Sequence, residues 1–325
     1  MNPESAWITI GARKGKSAMP IFTEPLYPWR RLFGRVFSYL FTLPQWQIGF
    51  AEGNLDSVVA GGDLPLMTWW PPSKAAVFNA DPFFIGEEVV FERMSRWRGR
   101  ADLRISRIDG SESRLFLREP GHISYPFTID ENGALYLIYE SAVSLHCKIM
   151  MLSDMKWIEV SCISEPVVDA TMVSYNNRYW IFGTLANGEE NRALHIWWSD
   201  SIMGPWKPHP MNPVKRDISS CRPAGGIFRS AEGLIRPAQD CSSTYGGSIA
   251  LCRIDRLDEC GFEETVLRRV GPLKPYDAGI HTINTNGKYI VVDGKRTVTH
   301  PFAALLRWKC RRGMRLLPSR NHAAH

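Results

Sequence analysis

The chain has 325 residues, 44% of them apolar and 22% charged, with a formal net charge of +6. This balance excludes a disordered chain, and the length admits two ordinary domains or one large β or α/β domain. No basic stripe runs through a recognisable nucleic-acid module, so nucleic acid is not an expected partner.

Residues 1–27 are rich in proline and polar side chains and show no apolar signal-peptide core. They read as an irregular arm. Residues 28–42, PWRRLFGRVFSYLFT, combine three arginines with an apolar pattern. Leu32, Val36, Tyr39 and Leu40 fall on one helical face, with Phe33, Phe37 and Phe41 beside it. The segment is too short and too charged to span a bilayer. It reads either as a helix packed on the main domain or as one that meets a membrane surface or a partner transferase. The seven cysteines form no C-x-x-C pair, which argues against a zinc ribbon. A reducing, cytoplasmic setting is expected, peripheral at the inner membrane face if the 28–42 helix docks there.

From Trp46 onward short β-type runs replace the helical pattern. QWQIGFAEG and PLMTWW come first, and then one unit recurs: strand, turn, strand. It appears in ADPFFIGEEVVFERM, SYPFTIDENGALYLIYES, DATMVSYNNRYWIFGT, RPAGGIFRSAEGLIRPAQD and IHTINTNGKYIVVDGKR, whose first strands begin near residues 81, 125, 169, 222 and 280. Each pair brackets a turn signal such as Asn176–Asn177 or Asn286–Gly287. Further strand candidates, including ADLRISRID, CKIMMLS, ALHIWWSD and SIALCRID, lie between the units. Five such units predict an all-β, five-bladed β-propeller over residues 44–305. QWQIGFAEG is expected to close the last blade. No long helical pattern follows residue 43, and residues 306–325 read as a basic tail. A β-sandwich is the competing fold, but it does not require five similar units.

In a propeller the first strand of each unit lies nearest the axis, so the open ends of the five hairpins share one pocket. Folding each hairpin about its turn sets Asp81 opposite Glu92, and Ser124 and Tyr125 near Glu140. It sets Asp169 opposite Thr184, and Arg222 opposite Cys241, near Gln239 and Asp240. His281 falls near Asp293, with Arg296 beyond. Cys221 and Cys241 also face each other, so a disulfide is conceivable, although buried thiols are the expectation. Carboxylates crowded round an axis raise one another's pKa values, which suits acid–base work or recognition of sugar hydroxyls. A polar channel held by its own ion pairs is the alternative. No cofactor is expected. His122, His195 and His209 lack metal-ligand spacing, and hydrogen bonding outweighs metal binding for His281.

The ADPF and VVDATMV runs resemble the first two carboxylate motifs of the five-bladed propellers of glycoside hydrolase family 43. That resemblance implies a general base at Asp81 and a tuning carboxylate at Asp169. Residues 46–300 more closely resemble the N-terminal domain of plant glucosamine inositolphosphorylceramide transferases and its bacterial stand-alone relatives. The likeness is carried by ADPF, SYPF, Glu140–Ser141, DATMV, GPWKPHPMNPV, two Arg-Pro-Ala triplets, QDCSSTYGG, His281–Thr282 and VVDGKR. It implies the fold and a glycan or glycolipid setting. In family 43 the fourth blade opens with the acid Glu, but here that place holds Arg222, which cannot donate a proton at neutral pH.

Glu140 or Asp240 is therefore the expected acid, with Glu92 a lesser candidate. Arg222, with Arg296 and Arg236, marks a site for a phosphate or carboxylate. Tyr245 belongs to a hydroxyl-rich rim. The expected function is binding or transfer of an anionic or phosphorylated sugar in glycan or glycolipid assembly. A family 43-like hydrolase and a non-catalytic sugar-binding module that partners a transferase are the alternatives.

Overall fold

The computed structural model describes Phe37 and residues 40–314. Apart from Phe37, Leu40 and Phe41, the helix predicted over 28–42 lies outside the described residues. Strand β1 (Thr42–Glu52) is followed by a helical turn, α1 (Asp56–Val59), and by β2 (Thr68–Trp69). The first blade comprises β3 (Ala76–Ile85), β4 (Glu88–Ser95), β5 (Ala101–Ser106) and β6 (Arg114–Leu117). The second comprises β7 (Ile123–Glu131), β8 (Ala134–Ser141), β9 (Cys147–Ser153) and β10 (Lys156–Ile163). The third comprises β11 (Val167–Tyr175), β12 (Arg178–Leu185) and β13 (Ala193–Ser199), edged by β14 (Lys207–Pro208) and β15 (Lys215–Arg216). The fourth comprises β16 (Phe228–Ser230), β17 (Gly233–Asp240), β18 (Ser248–Asp258) and β19 (Gly261–Val270). Then come β20 (Gly279–Thr285), β21 (Tyr289–Thr299) and helix α2 (Ala303–Met314).

The protein is thus a five-bladed β-propeller. Its fifth sheet runs β2-β1-β21-β20 and joins the two ends of the described chain. β1 pairs antiparallel with β21 from Thr42↔Thr299 to Glu52↔Tyr289, so the strand expected to close the ring does so. Between β11 and β12 the two-residue turn is Asn176–Asn177, both at positive φ (52° and 54°), as a primed hairpin turn requires.

The apolar core lies between blades. Phe83, Phe127, Ile138, Met172 and Trp197 join the first three. Val173, Trp180, Leu257 and Phe262 join the third to the fourth. Ile235, Leu251, Ile283 and Val292 join the fourth to the fifth.

Four inner strands slip register at the same place. The breaks fall between Ala80 and Phe83, Ser124 and Phe127, Val168 and Thr171, and Ile280 and Ile283. Asp81, Tyr125 and Asp169 sit in these bulges at φ 50°, 48° and 52°. Left-handed backbone at a non-glycine residue costs of order 1–3 kcal/mol and is characteristic of functional sites. Simple hairpin folding misses the extra residue, so Glu92 pairs with Ala80, not Asp81, and Thr184 pairs with Val168, not Asp169.

The fourth blade differs. Gly225 and Gly226 fall outside the β16–β17 ladder, and their amides bond to Tyr125 Oη (2.8 Å) and Asn284 Oδ1 (2.6 Å). Arg222 consequently faces Gln239, whose amide donates to its carbonyl at 2.7 Å, and not Cys241. Cys221 and Cys241 are both free, buried thiols.

Residues 303–314, read in sequence as running into a basic tail, form helix α2. Ala303, Leu306 and Cys310 pack on Leu43, Val77 and Met94. Among the described residues no helix is long and apolar enough to cross a membrane.

Candidate active site at the propeller axis

Asp81 projects from its bulge into the axis and is 6% exposed. Its Oδ1 accepts from Thr282 Oγ1 at 2.8 Å and lies 3.5 Å from His281 Nε2. The other imidazole nitrogen, Nδ1, is 2.6 Å from Asp293 Oδ2. Asp293 is fully buried and organises this corner. Its Oδ1 accepts the amides of His281 (3.1 Å) and Thr282 (2.9 Å), and its Oδ2 accepts the amide of Asp81 (3.0 Å). The fifth-blade bulge frees these amides from the ladder, and Asp293 collects them.

This is a carboxylate–imidazole–carboxylate line. Burial pushes the Asp81 carboxyl up to about 6, against the opposing pull of His281. For His281 burial works downward, but Asp293 and Asp81 outweigh it and raise its pKa. Asp81, His281 and Asp293 each offer one ligand atom within 4.8 Å of the others, so they are the described group that could hold a cation. The direct His281–Asp293 contact leaves little between them, and the arrangement reads as a charge-paired relay.

Glu140 stands across from this corner on β8, paired with Ser124. Burial pushes its carboxyl up to about 8, with the Asp169 carboxylate adding and Arg222 opposing. Its carboxyl receives no hydrogen bond from a described residue. Glu92 is 5% exposed and is raised well above the carboxylate range by burial, then by Asp81 and Glu140. Its Oε1 lies 3.5 Å from His122 Nε2. Burial lowers the His122 pKa to about 4, so its ring is neutral. His122 Nδ1 accepts the Ala101 amide at 3.2 Å, which leaves the ring proton on Nε2, toward Glu92.

Asp169, on the third-blade bulge, receives Arg222 Nε at 2.6 Å and Gln239 Nε2 at 3.1 Å on one oxygen. Arg222 Nη1 donates to Asn191 Oδ1 at 3.2 Å, while Nη2 donates to no described residue. Burial lowers the Arg222 pKa, but Asp169 outweighs it and holds the guanidinium charged. The guanidinium lies 5.0 Å from the Tyr245 ring, which also stands edge-on to His281 and Trp46. Tyr245 is 41% exposed and forms the rim.

Asp81, Glu92, Glu140, Asp169, Arg222, Gln239, His281, Asp293 and Tyr245 therefore converge, and Tyr125 braces them from within. Its hydroxyl meets Thr171 Oγ1 at 3.1 Å and accepts the Gly225 amide, spanning three blades. Three sequence candidates lie elsewhere. Arg236 is buried in the fourth blade, where Nε and Nη2 grip Glu264 at 2.8 and 2.6 Å and the remaining donors reach the Ser220 and Cys221 carbonyls. Asp240 turns to Arg269 (2.8 Å) and Ser242 (2.6 Å), because strand alternation sends it opposite to Gln239. Arg296 bonds Gln45 across β1 and lies over Tyr276.

Sequence reasoning missed Trp46 and Asn191. Trp46 stacks on His281 at 4.0 Å, and nothing in an outer-strand pattern points inward. Asn191 lies on the β12–β13 connection, which no pattern marks.

Residues 73–274 match the family model described as glucosamine inositolphosphorylceramide transferase 1, N-terminal. The chain is 30% identical over 220 residues to glucosamine inositolphosphorylceramide transferase 1 of Oryza sativa subsp. japonica, covering 62% of this chain and 30% of that protein. It is 34% identical over 159 residues to the Arabidopsis thaliana protein of the same name, covering 46% and 21%. The chain spans less than a third of either plant relative. Among solved structures it is similar to a family 117 glycoside hydrolase of Zobellia galactanivorans, with TM-score 0.45, 12% identity and 82% and 92% of the two chains covered. It is also similar to an exo-β-1,3-galactanase of Clostridium thermocellum, with TM-score 0.43, 10% identity and 59% and 51% covered.

Proposed function

The chain belongs to the glucosamine inositolphosphorylceramide transferase 1 N-terminal family, and from that premise we propose that its axial pocket binds and acts on a sugar in glycan or glycolipid assembly. One observation carries this reading. Two carboxyls in one pocket stand in different settings: Asp81 lies against Thr282 Oγ1 and His281 Nε2, whereas Glu140 receives no hydrogen bond from a described residue, and burial pushes them up to about 6 and about 8. Between those values Asp81 is ionised and Glu140 is protonated, as a base and an acid must be in the same turnover.

Asp81 takes a proton from the attacking hydroxyl. His281, fixed through Nδ1 by Asp293, steadies the carboxylate through Nε2. Glu140 protonates the leaving oxygen as the glycosidic C–O bond breaks. Asp169 keeps Arg222 charged and in place. Tyr245, on the exposed rim, supplies aromatic surface beside these groups, suited to the apolar face of a sugar ring, while the buried Trp46 backs His281.

The finer reading is that the sugar carries an anionic group. Arg222 Nη2 is its natural contact, since Nε and Nη1 are occupied. One open edge suits a single phosphate or carboxylate oxygen. The test is a thermal-shift screen of nucleotide sugars, polyprenyl-phosphate sugars, sugar phosphates and neutral oligosaccharides against wild type, Arg222→Ala and Arg222→Lys. Stabilisation by an anionic sugar, lost in Arg222→Ala and weakened in Arg222→Lys, supports the finer reading. Stabilisation by neutral oligosaccharides alone, indifferent to both substitutions, overturns it and favours a plain hydrolase. Binding without turnover that survives Asp81→Asn overturns the catalytic reading and leaves a sugar-binding module.

A further inference from the structure

Helix α2 is apolar on two sides. Ala303, Leu306 and Cys310 are buried against the propeller, yet Phe302, Leu305 and Trp308 on the other side are 63%, 49% and 55% exposed. A solvent-facing helix surface ordinarily carries polar residues. The polar residues that flank this stripe are all cations: Arg307, Lys309, Arg311 and Arg312. The Arg312 guanidinium lies 5.5 Å from the Trp308 ring.

Two distant segments join the same face. The turn at 95–100 rests on the helix so closely that a Cβ on Gly99 would stand 2.7 Å from the Lys309 carbonyl oxygen. Arg96 Nη1 meets His300 Nε2 at 3.2 Å, pinning that turn to the start of the helix. The turn carries Trp97, which is 76% exposed, with Arg98 and Arg100. The His300 amide donates to the Phe41 carbonyl at 2.7 Å, which brings in the exposed Leu40 and Phe41. Residues 40–51, 95–101 and 300–314 contain no Asp or Glu. Arg98 faces the buried Asp102 at 3.6 Å, whereas Arg100, Lys309, Arg311 and Arg312 have no acidic partner among the described residues.

We propose that this face, built on Trp308, Leu305, Phe302 and Trp97 and ringed by Arg100, Arg311 and Arg312, docks on an anionic bilayer surface. Exposed aromatics flanked by cations match the interfacial layer of a membrane, and charge complementarity selects anionic lipid over a second copy of this basic chain. The face lies at the open ends of the hairpins, beside the axial pocket. On β4, Met94 packs under the helix, and Glu92, ~7 Å back along the strand, belongs to the pocket. The docked protein therefore holds its pocket at headgroup level. The inference extends the proposed glycolipid setting, and its failure is separable from a failure of that reading.

The test is flotation of the full chain with vesicles of phosphatidylcholine alone and of phosphatidylcholine mixed with phosphatidylglycerol, at low and high salt. Binding should require phosphatidylglycerol and weaken with salt. Arg311→Gln with Arg312→Gln should weaken it about fivefold per cation removed. Leu305→Ser with Trp308→Ser should weaken it at least about tenfold with the melting temperature held within about 2 °C. Equal partition onto neutral vesicles, no binding to either, or a concentration-dependent dimer abolished by Leu305→Ser with Trp308→Ser would overturn the inference. Arg222→Ala should float as wild type does. Lost flotation with sugar stabilisation intact refutes docking alone, and the converse refutes the proposed function alone.

Discussion

Asp293→Asn should be the most damaging isosteric change in the pocket. Asp293 receives three backbone donors, the His281 and Thr282 amides on Oδ1 and the Asp81 amide on Oδ2, and Oδ2 also lies 2.6 Å from His281 Nδ1. An asparagine has one carbonyl. Whichever way it is turned, its NH2 confronts at least one backbone amide donor in a fully buried place. Charge-assisted hydrogen bonds are worth about 1.5–3 kcal/mol each, and breaking a buried ion pair costs about 3–5 kcal/mol. The expected loss is therefore about 3–5 kcal/mol, or roughly 6–20 °C in melting temperature for a domain of this size. Denaturant melts with an unchanged m-value would measure it. The second readout is the His281 proton titration by NMR. Asp293 is the largest influence raising that pKa against burial, so without it the imidazole should titrate lower than in wild type. A loss below about 1 kcal/mol, together with an unmoved His281 titration, would refute the relay.

Glu140→Gln should abolish turnover and change the pH dependence of stability. The folded carboxyl holds its proton to about 8, whereas the unfolded one releases it near its ordinary value. Wild-type stability from this group is therefore full below the ordinary value and is lost as pH rises toward 8. The variant lacks that loss, so its advantage over wild type should be absent at pH 4, grow toward pH 8 and then level off; a difference flat with pH would sink the assignment. Gly225→Ala should prevent stable folding, because the backbone stands at φ 135° and the new Cβ would lie 2.0 Å from the Ile283 carbonyl oxygen. Recovery of a folded protein with a wild-type melt would show that the fourth-blade break is not as tight as described.

The propeller was legible because its units repeat: turn signals such as Asn176–Asn177 and Asn286–Gly287 recur between strand-length apolar runs. The pocket was legible because the open ends of the hairpins share a direction, which brings Asp81, Glu140, Asp169, Arg222 and His281 together from the repeat pattern alone. The fine register was not legible. A bulge adds one residue without altering the alternating pattern nearby, and Asp81–Pro82 and Asp169–Ala170 look like ordinary strand. Arg236 and Asp240 illustrate the limit further. Sequence places them near the hairpin end, but only the sheet's pleat decides that Gln239 turns inward while its neighbour meets Arg269. Helix α2 escaped because apolar side chains on both faces blur the helical period, and its cations resemble a solvated tail.

The pairing of β1 with β21 also orders events in time. During synthesis β1 emerges early, yet its ladder partner lies at Tyr289–Thr299, after every other blade. Until then β1 has one long unpaired edge, of the kind that invites pairing with another chain. The first four blades can assemble as they appear, but the ring shuts only when the last hairpin arrives. Asp293, the residue that completes the relay to Asp81, rides on that closing strand. Completion of the ring and of this buried cluster are thus one event, and a nascent or truncated chain that lacks β21 would carry Asp81 and Glu140 without the carboxylate that receives the Asp81 amide.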